Sequence, residues 1–355
     1  MPSSTVVLNN VRVFDGTRLT SPTSIAFARG AVVTGTPSGA ETLDCGGATL
    51  LPGLFDTHVH LLAPDDLDAL AAHGVTTALD MACWPHQRVD SFRGRVPDIR
   101  SAGVPAIGPG GNHARMPGMP SEAVLTDAGQ AAPFVARRVA EGADYIKVVI
   151  EGDLLGQDVI DAVVREAAAL GRPSVAHASS VDAYRRAVRA GADIITHVPR
   201  DGVPDEDTLA EMVRRRQVAV PTLAMMEASS VIFPAPEQAY AHSRDTVAAL
   251  HAAGVPVLAG TDAFSGPGPI PDPVRQGSGL HRELELLVDA GLTEADALRS
   301  ATVLAARHFG LPDRGVLMPG LRADAVLVDG DPLTDIRATR KVRRVWSAGV
   351  PVTLR

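Results

Sequence analysis

Two cysteines, Cys45 and Cys83, are all that 355 residues contain, too few for a disulfide framework or a cysteine-built zinc site. Positive charge is also in short supply. The 33 basic residues against 41 acidic ones leave a net charge of -8 and a pI near 5.8, so no basic face is offered to nucleic acid or an anionic membrane. No apolar run approaches the roughly 20 residues a bilayer span needs. The start, Met1-Pro2-Ser3-Ser4-Thr5, lacks the charged and apolar regions of a secretory leader. These deficits predict a reduced, cytoplasmic protein that acts on a small molecule, with no nucleic-acid or membrane partner; a homo-oligomer is compatible with them.

Lysine is almost as rare. Lys147 and Lys341 are the only two among 33 basic residues, and the rest are arginine. Lys147 sits inside the apolar run Tyr145-Ile146-Lys147-Val148-Val149-Ile150. Arginine stays charged, whereas a buried lysine can lose its proton and act as an amine. Taken without its neighbours, Lys147 is read more simply as the ion-pair partner of Glu151.

What is abundant is repetition. Eight apolar or β-branched runs, at 51–58, 75–81, 104–108, 144–150, 173–178, 193–198, 218–223 and 255–261, alternate with stretches of helical pattern. Amphipathic stretches at 131–141, 158–170 and 181–190 are examples, and Gly142, Gly171, Gly191 and Gly254 stand where helix C-caps belong. Near-continuous apolar strands alternating with helices predict a parallel sheet covered by helices, and eight units fit an α/β fold of the (β/α)8 TIM-barrel type. An open doubly wound sheet is disfavoured because no Gly-rich phosphate fingerprint follows the first run. The flanks, 1–50 and 316–355, carry short alternating runs and turns. They are expected to pair as one small antiparallel β-sandwich domain beside a barrel of residues 51–315. Helices are predicted at 280–290 and 293–309, the second with Thr293 as N-cap and Gly310 as its stop.

The polar residues interrupting these runs carry the chemistry. His58 and His60 close the first run; being two apart on a strand they project to the same side, as one metal ion would require. Alone, such a pair arises by chance as readily as by function. Yet Lys147 lies in the fourth run, His177 ends the fifth, His197 the sixth, and Asp262 follows the eighth. In a barrel all of them reach the C-terminal rim, where active sites lie. Six nitrogen- or oxygen-bearing side chains on one rim read as a metal site.

The stretches Pro-Gly-Leu-Phe-Asp-Thr-His-Val-His at 52–60, Ile-Lys-Val at 146–148 and Ala-Gly-Thr-Asp-Ala at 259–263 resemble those of the amidohydrolase superfamily. So do 280–287 and 319–327, and the likeness is nearest to the imidazolonepropionase-like and prolidase-like branch. The resemblance implies a metal-dependent hydrolase on a (β/α)8 barrel. It implies that His58, His60 and Asp262 hold one divalent ion and His177 and His197 a second. Lys147, carboxylated by carbon dioxide, would bridge them as a carbamate, with zinc the favoured ion and cobalt or manganese as substitutes. Two ions, a carbamate, Asp262 and a bridging hydroxide leave a site of about one positive charge, suited to a developing oxyanion. Asp262 is then the proton-transfer residue as well as a ligand. One departure stands out: Val198-Pro199-Arg200, with no glycine, follows His197.

The substrate expected is compact: an N-acyl amino acid, dipeptide or cyclic amide cleaved at its C–N bond. His113, in the loop after the third run, and Arg200 are candidate contacts for a substrate carbonyl or carboxylate. Trp84, Met116, Met119, Met225, Met226, Phe233 and Phe264 fall on loops of the same rim and could line an apolar pocket. Rival readings are a mononuclear deaminase or imidazolone-type ring hydrolase, a lactonase on the same binuclear site, a Schiff-base lyase using Lys147, and a non-catalytic barrel serving as a binding subunit. Relatives of the first kind lack the lysine and use a glutamate near the fifth-strand histidine, where this chain has Ala178-Ser179-Ser180.

Overall fold

The computed structural model describes residues 5–230, 238–266 and 274–353. The barrel strands run parallel. Leu54–His60 pairs with Val75–Asp80, which pairs with Asp98–Ser101; Ile146–Val149, Ser174–His177, Ile194–Thr196 and Val218–Val220 follow in sequence order. Backbone bonds join these two groups at both sides. Asp144 N–H, just ahead of Ile146–Val149, donates to Ser101 O (2.9 Å), and Ala106 N–H donates to Lys147 O (2.8 Å). On the other side Leu258 N–H donates to Ala219 O (2.9 Å) and Thr57 N–H to Ala259 O (3.0 Å). Helices such as Gln157–Ala169 and Val181–Ala190 bury one face outside the sheet and leave polar residues to solvent, as amphipathic helices in this role must. This is the expected α/β architecture. Among the described residues no helix is long and apolar enough to cross a membrane.

Four local expectations need correction. The first barrel strand begins at Leu54, because Thr49–Pro52 belongs to the sheet of the chain ends, where it pairs antiparallel with Ala325–Val328. The third strand is Asp98–Ser101, upstream of 104–108; its alternating polar residues hid a strand whose Ile99 and Ser101 are buried. The eighth run makes a single bridge at Val257, and its regular pairing is the short strand Ala263–Phe264 against Leu54–His60. The helix predicted at 293–309 is broken into Glu294–Ser300 and Val303–His308. The carbonyls of Ser300 and Ala301 turn aside to accept the N–H groups of Ala259 and Phe55 (3.2 and 2.8 Å).

Strands from both chain ends share one eight-stranded sheet, closed off internally by Trp346 edge-on to Phe27 at 5.9 Å. It is not wholly antiparallel, since Val6–Val13 pairs parallel with Glu41–Asp44 and with Thr49–Pro52. The hairpin Thr23–Ala28/Ala31–Val33 already covers one edge of Val6–Val13, so the returning chain reaches the other edge in the same direction.

Gly53 is the joint between this sheet and the barrel. A Cβ there would lie 2.1 Å from Thr76 Oγ1 and 2.8 Å from Asp324 Cβ, inside any permitted contact. Gly53→Ala should therefore destabilise the fold by at least about 1–3 kcal/mol, the usual cost of overpacking. Chemical denaturation of both proteins checks this; an unchanged midpoint would refute the close approach.

Candidate metal centre

The strand Leu54–His60 delivers His58 and His60 to one side, their rings 5.4 Å apart. Asp262 meets both: its Oδ1 lies 3.3 Å from His58 Nε2 and 3.0 Å from His60 Nε2. These donors all fall within 4.8 Å of one another. His197 approaches from the opposite side, Nδ1 being 3.9 Å from Asp262 Oδ2 and its ring 4.9 Å from that of His58. His177 packs on His197 at 4.2 Å. Lys147 is buried beside them and donates from Nζ to Thr196 Oγ1 at 2.7 Å. The six residues expected from the strand ends thus form one cluster. The ion pair of Lys147 with Glu151 does not form; Glu151 instead accepts from Asn112 N–H and sits 3.1 Å from His113 Nδ1.

Burial works to raise the Asp262 carboxyl, but nearby His58 and the hydrogen bonds from His58 and His60 hold it well below the usual range. Burial, reinforced by Lys147, lowers His58 to about 3. Burial likewise drives His177 and His197 well below normal. Burial also works to lower His60, but its bond to Asp262 and the charges of Asp262 and Asp80 together move it up. Neutral imidazole lone pairs around an ionised carboxylate form a donor set that fits a divalent cation, zinc above all.

Backbone geometry at this rim is unusual. His197, Thr222 and Asp262 all have positive φ (69°, 51° and 59°), a region costing about 1–3 kcal/mol for non-glycine residues and worst for β-branched threonine. Each is held from below. Asp56, fully buried, accepts from His58 N–H, Thr261 N–H and Thr261 Oγ1 (3.2, 3.0 and 2.7 Å), tying the two ends of the ligand set together. Gly260 allows this, since a Cβ there would lie 2.9 Å from His58 N. Thr222 Oγ1 lies 2.8 Å from His197 Nδ1. Glu283 anchors the turn behind Thr222, accepting from Leu223 N–H (3.0 Å) and Ala224 N–H (2.7 Å). Sequence reasoning gave no role to Asp56, Thr196, Thr222 or Glu283. Asp56 and Glu283 lie inside the very motifs quoted, but supporting roles made through backbone contacts leave no spacing signal.

Above the cluster opens a cavity of about 820 Å³ lined by His60, His177, His197 and Asp262. His113 is on its wall with its ring 4.9 Å from that of His177. Arg200 is there too, its Nη2 donating to Ser229 O at 3.2 Å. Trp84, Met116, Met225, Met226 and Phe264 line it as expected. Met119 packs instead against the cluster of Val104, Ile107, Ala123 and Val149, and Phe233 lies outside the described residues.

A parallel α/β sheet with histidines and an aspartate at its strand ends is an arrangement able to hold a divalent ion. The sequence model of the amidohydrolase family matches residues 49–352, and the chain belongs to that family. An uncharacterized protein of Mycobacterium tuberculosis is 32% identical over 319 residues, 80% of each chain. An adenine deaminase of Methanoregula boonei is 28% identical over 98% of this chain, which spans 58% of that relative's length. Among solved structures, a prolidase complexed with N-methylphosphonate-L-proline is 25% identical, with a TM-score of 0.82 over 99% of this chain and 100% of that one. A Xaa-Pro dipeptidase at 23% identity and TM-score 0.82, covering 98% of this chain and 99% of that one, shares the fold.

Glu283 makes a pH prediction. Burial pushes it up to about 8 from an ordinary 4.5, against the two N–H bonds. The folded chain then keeps a proton that the unfolded chain releases, so this contribution is complete below the unfolded value and is lost as pH rises through the folded one. The thermal stability of the wild type relative to Glu283→Gln should be greatest near about pH 5 and decline toward about pH 9. A difference constant across that range would contradict it.

Proposed function

We propose that the protein is a binuclear metal-dependent amidohydrolase that cleaves the amide C–N bond of a small substrate such as an N-acyl amino acid, dipeptide or cyclic amide. The reading rests on one observation: Nε2 of His58 and of His60 converge on a single oxygen of Asp262, with His177, His197 and Lys147 alongside. His58, His60 and Asp262 would hold one ion and His177 and His197 the other. When bound, divalent ions such as zinc supply a water of near-neutral pKa and a Lewis acid for the carbonyl.

The chain's own residues do the rest. Asp262, kept ionised by its imidazole neighbours, takes the proton from the attacking water and returns it to the leaving nitrogen. His113, oriented by Glu151, and Arg200 contact the substrate carbonyl or carboxylate from the cavity wall. Lys147 Nζ, with a hydroxyl partner and lowered to about 7 by burial, is a neutral nucleophile at and above that pH. Its lone pair would attack carbon dioxide, with a C–N bond formed as one C=O π bond opens and one proton lost, and the resulting carbamate would serve as a further anionic ligand for the ions.

The adenine deaminase relatives favour a second reading, a mononuclear deaminase. Elemental analysis separates the two: about two metals per chain supports the first, and one metal with ammonia release from an aminated ring supports the second.

Asp262→Asn should keep the fold and lose most turnover, about 10²-fold or more, as expected for a general acid–base residue. Circular dichroism with steady-state kinetics tests this, and near-normal kcat in the variant excludes the role. Labelled bicarbonate should give a carbamate carbon resonance that strengthens as pH rises through about 7 and fades below it. Lys147→Ala should abolish that resonance and lower metal content, with partial recovery in a small carboxylate. Two metals and full activity in Lys147→Ala would remove the bridge from the proposal.

A further inference from the structure

The cavity is roomier than the most compact of the proposed substrates would fill. Its volume of about 820 Å³ lies toward the upper end of the roughly 300–1,000 Å³ that encloses drug-sized ligands. Its polar groups are concentrated on the floor and around His113, Glu151 and Arg200. The remainder of the wall includes the apolar Leu62, Trp84, Met116, Met225, Met226 and Phe264, with the charged Arg88 among them, contributed by loops and helices after several different barrel strands. Leu62 and Met116 leave 41% and 44% of their surface in water, an unfavourable state for large apolar side chains lining a concavity. Trp84 has its one donor satisfied already, Nε1 donating to Pro117 O at 3.3 Å, so the indole has only apolar contact left to give. Three methionines supply thioether chains that adapt to the shape of what they cover.

We infer that the substrate carries, on one side of the scissile amide, a bulky apolar arm such as a medium-chain or aromatic acyl group, and that this wall binds it. The inference rests on the amide-hydrolase reading above but concerns a different part of the cavity. A small acyl group would reach the floor and leave the wall wet. A longer arm covers Leu62, Met116 and Phe264 and gains free energy with every methylene it buries.

The protein carries its own reporter for this arm. Of its two tryptophans, Trp346 is buried in the sheet of the chain ends, whereas Trp84 lines the cavity. Titration of the metal-loaded protein with straight-chain carboxylic acids of four to ten carbons, followed by tryptophan fluorescence, should show affinity rising about threefold to fourfold per methylene. Trp84→Phe should remove the signal. Met116→Glu, at an exposed position the fold does not depend on, should weaken the longest acid by about tenfold and leave the shortest nearly unchanged. In parallel, kcat/KM on acylglycines should climb at least about tenfold from acetyl to octanoyl or phenylacetyl.

Equal affinities across the acid series, or a rise that persists unaltered in Met116→Glu, would overturn the inference. Preference for acetylglycine over every longer acylglycine would do the same. If no acylglycine is cleaved while the acids still bind in order of length, amide hydrolysis is the part that fails and the apolar wall stands.

Discussion

Asp56 is fully buried and has no cation partner among the described residues, yet its bonds go to the pair of segments that carry the candidate metal donors. It takes the N–H of His58 from the first barrel strand and both the N–H and hydroxyl of Thr261 from the last. Burial raises it to about 7, against those three donors. This is an expensive way to join two strands, and a chain seeking only stability would do better with apolar contacts. What the carboxylate supplies is position. Asp262 follows Thr261 directly, so fixing Thr261 to the His58 backbone brings the Asp262 oxygen to within about 3 Å of both imidazoles. Loss of that tie would leave donors with the right identities in the wrong places.

The same economy governs the opposite side of the cluster. His197 and Thr222 occupy left-handed backbone conformations that no local preference supports. They persist because Glu283, reaching in from the helix Ser278–Asp289, fixes the N–H groups of Leu223 and Ala224. Thr222 is thereby held against His197. That bond engages His197 Nδ1 and settles which edge of the ring is committed to the protein. Strain at the rim is thus offset by buried acids one layer below it. The donors can face a cavity that water enters because the parts that must not move are out of its reach.

Much of this was legible in the sequence, and the limits have physical causes. The parallel barrel follows from apolar runs alternating with helices, since strands buried on both faces cannot hide their composition. The donor cluster was legible because side chains at strand ends need only a strand to aim them. The third strand escaped notice because Asp98 and Arg100 break its apolar run, and the helix at 293–309 was drawn unbroken because its interruption is imposed by carbonyls serving Ala259 and Phe55. Both depend on partners far along the chain. Lys147 shows the boundary most clearly. Its sequence neighbour Glu151 suggests an ion pair, but a residue four places on along a strand-to-loop segment is carried away, and Thr196, two strands across the sheet, takes its place.

The polar floor and the apolar wall of the cavity bear on each other. The ionised Asp262 is held against its burial by nearby His58 and by hydrogen bonds from His58 and His60, an arrangement whose strength depends on how much water screens it. Charges a few ångströms apart interact several times more strongly when the effective dielectric falls from that of water to about 20. An apolar arm lying along Trp84, Met116 and Phe264 would exclude solvent from directly above His60 and Asp262. Binding energy gained at a distance from the scissile bond would then sharpen the electrostatics at it, which is where remote contacts contribute to rate and not merely to affinity. On the proposed reading a wall of this kind would be part of the chemistry, and a substrate too small to cover it would be handled by a wetter and weaker site.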